Sequence, residues 1–236
     1  MPSYTPTINA LAHARRLEQT QKRQVNEKTS ILVVTMPTTR GQKPLTGVTE
    51  EKQAIARSKL GLKSFSALEC PAAREVLHKI PKFDIIHFAC HGSSDRADPS
   101  KSHLILQKTD TTGPVVDKLA IADIADAQTL GKAWIAYLSA CSTAEVEAFE
   151  LADEGLHLAS AFQVAGFPHV VGSMWSADDD TCARMAKLFY NSLTDECEID
   201  PSGGAVAAAL RKAVLQVRSE HVDDPKFWAP FIHLGA

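Results

Sequence analysis

DIIHFACHG (Asp84–Gly92) and, about fifty residues further on, AYLSACSTA (Ala136–Ala144) decide how this chain is read. Each is an apolar, β-prone run that ends in a reactive side chain next to small residues. Continuous apolar runs of this kind suit strands buried on both faces of a parallel sheet. Such a sheet presents the carboxyl ends of its strands along one edge, where ligands and reacting groups gather. His91 and Cys141 therefore fall at two strand ends on a common edge. An imidazole beside a thiol lowers its pKa toward neutrality, and the thiolate is the form that attacks carbonyls. Gly92 leaves room for an approaching backbone, and its N–H together with that of Cys141 suits an oxyanion.

Outward from these two runs the chain alternates strand and helix. SILVVTMP (Ser30–Pro37) is a β-branched run closed by proline, Thr49 to Leu60 reads as a helix stopped at Gly61, and KSFSAL is a short strand beside it. Pro71 to Ile80 reads as a helix with proline in its first turn, leading into a strand over Phe83 to Ala89. The order β, α, β, α, β predicts a parallel sheet with right-handed crossovers. After the turn-rich GSSDRADPS, HLILQ (His103–Gln107) is a short strand, residues around Lys118 to Ala125 a short helix, and Trp134 to Ala140 the next core strand. Glu154 to Ala165 is a helix ended by Gly166, and HVVGSMW is another buried strand. Cys182, Met185, Ala186, Phe189 and Leu193 share one helical face, as do Val206, Leu210, Val214 and Val217. WAPFIHLG reads as a last edge strand, because Pro230 cannot donate to a ladder. Residues 7 to 27, polar with good helix formers, read as a surface helix. The expected division is a helical extension over 1–29 and one α/β domain over 30–236, a three-layer αβα sandwich around a mostly parallel sheet.

Composition bounds the function. The 236 residues are 44% hydrophobic and 22% charged with a net charge of −3, an ordinary composition with room for one large core. No basic block or basic and aromatic stripe occurs, which argues against nucleic acid as a partner. The longest apolar runs fall far below the roughly 18 residues a membrane span needs, and the amino terminus carries no apolar signal core. A cytoplasmic protein without membrane contact is the expectation. The cysteines, Cys70, Cys90, Cys141, Cys182 and Cys197, are odd in number and lack CxxC spacing, so reduced thiols are expected rather than a disulfide framework or structural zinc.

Each candidate has a plainer reading. A lone cysteine such as Cys141 is by default a small buried hydrophobe; His91 at another strand end, together with the family motifs quoted below, reverses that default. His87 lies inside its strand and reads as a hydrogen-bonded core histidine, with support of the site as the alternative, and Cys90 points into the core. His87, Cys90 and His91 could suggest metal, but their side chains splay to opposite faces of an extended strand, so no metal and no cofactor is expected. Asp178, Asp179 and Asp180 suit a helix N-cap and first turn. Asp153, Glu154 and His157 read as solvated helix-start residues. No GxGxxG or GxxxxGK[ST] follows any strand, which argues against a nucleotide site.

HFACHG, LSACSTA, DEGLHLASAFQVAGFPHVVGSMWSADDD, the FY of LFYNSL and the closing FWAPFIHLG, in that order, resemble the CHAT domain, a caspase-like peptidase family related to separase. PLTGVTEEKQAI is similar to the segment that often precedes the catalytic half, and together the stretches cover roughly residues 30 to 236. The resemblance implies a caspase/gingipain-type fold, His91 as general base and acid, Cys141 as nucleophile, and a protein or peptide as substrate. Separases take a basic P1 residue in an acidic pocket after the strand ending in Trp and Asp. The matching stretch here is MWSADDD, which makes Asp178, Asp179 and Asp180 pocket candidates, although Ser176 stands where separases carry aspartate. Family members often follow tetratricopeptide repeats or signalling ATPase domains, so a repeat-containing or signalling protein is the regulatory partner the resemblance implies. The expectation is a cysteine endopeptidase cleaving after Arg or Lys in a regulatory or immune and cell-death signalling context. The alternative is a catalytically silent scaffold of the same fold.

Overall fold

The computed structural model describes residues 3–20, 29–58, 60, 62–95, 97–111, 113–125, 131–139, 154–175, 177–199 and 204–235. Its centre is a run of five parallel strands. β2 (Thr29–Thr35), β3 (Leu62–Glu69), β4 (Ile85–Ala89), β8 (Ile135–Leu138) and β9 (His169–Ser173) lie in the spatial order β3-β2-β4-β8-β9. β10 (Phe231–Gly235) adds antiparallel to β9, and β1 (Ser3–Tyr4) parallel to β10, giving a sheet of seven strands. A separate antiparallel sheet of three strands holds β5 (Gly92–Ser93), β6 (His103–Asp110) and β7 (Gly113–Ala120).

β4 and β8 are buried along their whole length and β2 from Ser30 onward, as the uninterrupted apolar runs require. Ile86, Phe88, Ala136 and Leu138 turn to one face and meet Val76 of α3 (Ala73–Lys79), Ile124 of α4 (Ile121–Ala125) and Phe162 of α5 (Glu154–Val164). Ile85, Ile135 and Tyr137 turn to the other. There they meet Ile55 of α2 (Val48–Ala56), Met185 and Phe189 of α6 (Asp179–Ile199) and Leu210 of α7 (Gly204–Glu220). Helices therefore cover both faces, the αβα sandwich anticipated from the sequence. The α6 stripe is buried throughout; on α7, Val214 is half-buried while Val206, Leu210 and Val217 are enclosed.

Three local readings change. GPVVDKLA is a strand, β7, where the sequence suggested loop leading into a short helix. It pairs with the whole of β6, from His103↔Ala120 to Asp110↔Gly113, and only Ile121–Ala125 is helical. Its alternating exposure identifies a half-solvated hairpin partner, a weaker signal than a core run. β10 is not an edge: Pro230 precedes it, accepting from Met174 N–H at 2.8 Å, and β1 covers its outer side. The chain ahead of residue 29 supplies that covering strand and α1 (Ile8–Thr20), whose Ala10 and Ala14 are buried. A strand of two residues offers no periodicity to read.

A polar chain, buried at its two histidines, ties these outer elements together. Ser3 Oγ lies 2.7 Å from His233 Nδ1, His233 Nε2 lies 3.0 Å from His169 Nδ1, and His169 Nε2 reaches Glu18 of α1 at 3.1 Å. Burial first, then the neighbouring His169, hold His233 well below the ordinary imidazole range. The folded protein thus keeps His233 neutral at a pH where the unfolded chain would protonate it. Its contribution is intact above the unfolded value of about 6.5 and is lost as pH falls below it. Thermal unfolding followed by circular dichroism should show stability dropping below about pH 6.5, and His233→Gln should flatten that slope by about one proton, ~1.4 kcal/mol per pH unit.

Candidate active site

β4 and β8 are adjacent and parallel, in register from Ile85↔Ile135 to Phe88↔Leu138, and Ser139 N–H extends the ladder onto Phe88 O at 2.9 Å. His91 stands three residues beyond Phe88. Counted along the chain, Cys141 is likewise three residues beyond Leu138, but it and residues 140–153 lie outside the described residues, as does Ser176.

His91 is buried and its Nε2 lies 2.7 Å from the carbonyl oxygen of Lys43. A carbonyl only accepts, so Nε2 carries the hydrogen and Nδ1 is the basic nitrogen of the neutral ring. Lys43 belongs to the loop between β2 and α2. Leu45 N–H bonds Pro37 O at 3.0 Å within that loop, and Leu45 and Val48 pack on Ala89 at the end of β4. The PLTG stretch thus folds over the strand end and sets the imidazole.

Gly92 opens β5, and an added Cβ would come within 2.5 Å of Leu158 Cδ2. The space its missing side chain leaves is therefore taken by Leu158 of α5. Leu158 and Leu104 close that side of the strand end, and Ile105 N–H bonds His91 O at 2.8 Å.

The three aspartates have different surroundings. Asp178 caps α6, accepting from Thr181 N–H at 3.0 Å and from its hydroxyl. Asp179 reaches across to the PLTG loop, where its Oδ2 accepts from Thr46 N–H at 2.7 Å, Thr46 Oγ1–H at 2.8 Å and Gly47 N–H at 3.3 Å. Asp180 is exposed. The loop that holds His91 and the start of α6 are thereby joined through Asp179.

Sequence reasoning missed a buried polar group directly beneath these strand ends. Glu51, on the first turn of α2, is only 2% exposed and accepts a short hydrogen bond from Ser139 Oγ. His87 Nε2 lies 3.1 Å from the same carboxylate oxygen without hydrogen-bond alignment, and His87 Nδ1 is 3.0 Å from the Tyr190 hydroxyl. The His87 ring stacks on Tyr137, with centroids 4.7 Å apart. Cys182 donates its thiol to Ser139 O at 3.4 Å; burial first, then the Glu51 carboxylate, push that thiol well above its ordinary range, so Cys182 stays protonated. His87 was read from the sequence as a hydrogen-bonded core histidine with support of the site as the alternative, and its bond to Tyr190 fits that reading. The helix-start string VTEEK, by contrast, gives no sign that Glu51 turns inward while Glu50 stays exposed. Among the described residues no group of three or more His, Cys, Asp or Glu could hold a metal ion, and no helix is long and apolar enough to cross a membrane.

A mostly parallel sheet covered by helices on both faces is a caspase-like fold, shared by the similar structures below. The chain belongs to the CHAT domain family, whose model matches residues 3–236. Among solved structures it is similar to the complex of the RgpB pro- and mature domains of Porphyromonas gingivalis, at 8% identity and TM-score 0.55, covering 93% of this chain and 51% of that one. It is similar also to the Arg specific cysteine proteinase gingipain R, at 10% identity and TM-score 0.54 with the same coverages. A third similar structure is the Saccharomyces cerevisiae separase–securin complex, at 12% identity and TM-score 0.52, covering 99% of this chain and 14% of that one. The chain thus spans about half the length of the gingipain chains and a small part of separase. Comparison with curated proteins finds no match.

The union of loop and helix at Asp179 leaves no space at Gly47, where a Cβ would meet Asp179 Cβ and its backbone oxygen at 2.8 Å. Backbone cannot yield as a side-chain tip can, so Gly47→Ala should cost about 1–3 kcal/mol in denaturant unfolding. Gly41→Ala, in the same loop with nothing near its Cβ position, pays only for its positive φ of 77°.

Proposed function

We propose that this domain is a cysteine endopeptidase in which Cys141 is the nucleophile and His91 the general base and acid. The observation that carries the reading is the equal count beyond a paired register: His91 and Cys141 each follow the Phe88↔Leu138 pair by three residues on neighbouring parallel strands. His91, with its Nε2 hydrogen engaged by Lys43 O, would take the thiol proton at Nδ1. The thiolate attacks the scissile carbonyl, the N–H groups of Gly92 and Cys141 receive the oxyanion, and the imidazolium returns its proton to the leaving amine. Water, deprotonated by the same imidazole, then releases the acyl group from the thioester.

For the substrate we propose a protein cleaved after Arg or Lys. Asp178, Asp179 and Asp180 bring three carboxylates to the start of α6, with Ser176 beside them in sequence. Asp179 is committed to the PLTG loop and Asp178 to its cap, so exposed Asp180 is the strongest candidate to receive a basic P1 side chain. A structural neighbour described as an Arg specific proteinase lends the same direction. A regulatory or immune and cell-death signalling role in the cytoplasm, under a repeat-containing or signalling partner, completes the proposal.

Fluorogenic peptides varied at P1 provide the test. Turnover is expected after Arg or Lys, abolished in Cys141→Ala, reduced at least 10²-fold in His91→Ala, and raised in KM about tenfold for Arg peptides in Asp180→Asn. Turnover only after acidic or aliphatic P1 residues overturns the specificity, and undiminished turnover in Cys141→Ala overturns the mechanism.

A further inference from the structure

Glu51 has a cost and no part in the chemistry described above. A carboxyl group withdrawn from water loses solvation that its partners must restore. The groups facing it are Tyr137 of β8 and Ser139 just beyond that strand, His87 of β4, and Tyr190 and Cys182 of α6. An apolar side chain would fill the same space more cheaply. What Glu51 holds is informative. Ser139 is two residues ahead of Cys141, and His87 is four ahead of His91. Eight residues before Glu51, on the same segment, Lys43 O holds His91 itself. The stretch from Lys43 to Glu51 therefore grips both strand ends, one by a backbone carbonyl and the other by a buried carboxylate, and Asp179 fastens the middle of that stretch to α6.

We infer that Glu51 is a positioning residue for the dyad, fixing the end of β8 against α2 through its hydrogen bond to Ser139, with His87 of β4 packed close to the same carboxylate, so that the Cys141 thiol and the His91 imidazole come within reach of each other. The inference rests on the reading of Cys141 and His91 as a dyad. Displacements of about 1 Å in a reacting pair cost on the order of 10²-fold in rate, so a single hydrogen bond at this place has kinetic weight.

Alkylation of Cys141 by iodoacetamide, located by peptide mapping and followed from pH 5 to 10 on the whole chain, reads thiolate formation without requiring peptide turnover. The wild type should show a midpoint below the ordinary thiol value of about 8.5. Glu51→Gln and Ser139→Ala should move that midpoint upward and slow alkylation at pH 7 about tenfold. His233→Gln, at the far side of the sheet, separates this from mere loss of stability: it should lower the melting temperature and leave the alkylation profile in place. Should Glu51→Gln fail to fold, Ser139→Ala, which removes one hydroxyl, carries the test. Superimposable profiles for wild type and the folded variant overturn the inference even if peptides are cleaved, and a shift of equal size in His233→Gln overturns it too. A shifted profile without any peptide turnover supports it while refuting the peptidase reading. An ordinary midpoint in the wild type with no turnover overturns both.

Discussion

Everything at the candidate site depends on the parallel pairing of β4 with β8. A slip of one residue in that register would exchange the two faces of a strand, putting His87 among Phe162 and Val76 and turning Phe88 toward Glu51. The register is pinned at the opposite end of the sheet. Asp84, just ahead of β4, accepts from Ser30 N–H at 2.8 Å and from the Ser30 hydroxyl, and contacts Lys132 at 3.2 Å, while its carbonyl accepts from Trp134 N–H at 2.7 Å. One residue thus aligns the starts of β2, β4 and β8. Between that lock and the site every side chain of β4 is buried, so the alignment is carried by close packing to the ends where His91 and Ser139 stand.

The core was legible because its strands are buried on both faces, and burial on both faces writes itself as consecutive apolar residues. SILVVT and DIIHFA can be little else in a chain of this length. The failures have the opposite cause. β7 shows its outer residues to water, β1 is too short to carry a period, and Pro230 signals an edge only if the strand includes it, whereas β10 begins one residue later. At the site, His91 and Gly92 could be singled out from their position at the end of an apolar run. The linkage of Asp179 to Thr46 and Gly47 could not, since it joins residues more than 130 positions apart, and the aspartate already had a sufficient local reason to stand at a helix start. Glu51 was hidden in the same way: an acidic residue in a first turn satisfies the helix dipole whichever way it points, and only the tertiary packing of α2 decides.

The distribution of polar burial separates the two ends of the sheet by purpose. At the start of the strands, buried Ser30 is satisfied by Asp84 and Lys132, whose charges reach the margin of solvent, an arrangement that stabilises without much desolvation of charge. At the carboxyl ends, Glu51, His87 and Ser139 are withdrawn from water, with His87 Nε2 and the Tyr137 hydroxyl lacking a hydrogen-bond partner among the described residues. Each such buried orphan costs on the order of 1–3 kcal/mol. A sequence selected for stability alone would replace this cluster with aliphatic residues like those on the opposite face, where Ile86, Phe88 and Leu138 meet α3 and α5. Its retention beneath one edge, under a histidine set by a backbone carbonyl, fits the general pattern in which local rules are broken where chemistry is done and offset elsewhere in the fold. The offset here is visible in the aromatic packing of Tyr137, Phe189 and Tyr190 around the cluster, with the His87 ring stacked on Tyr137.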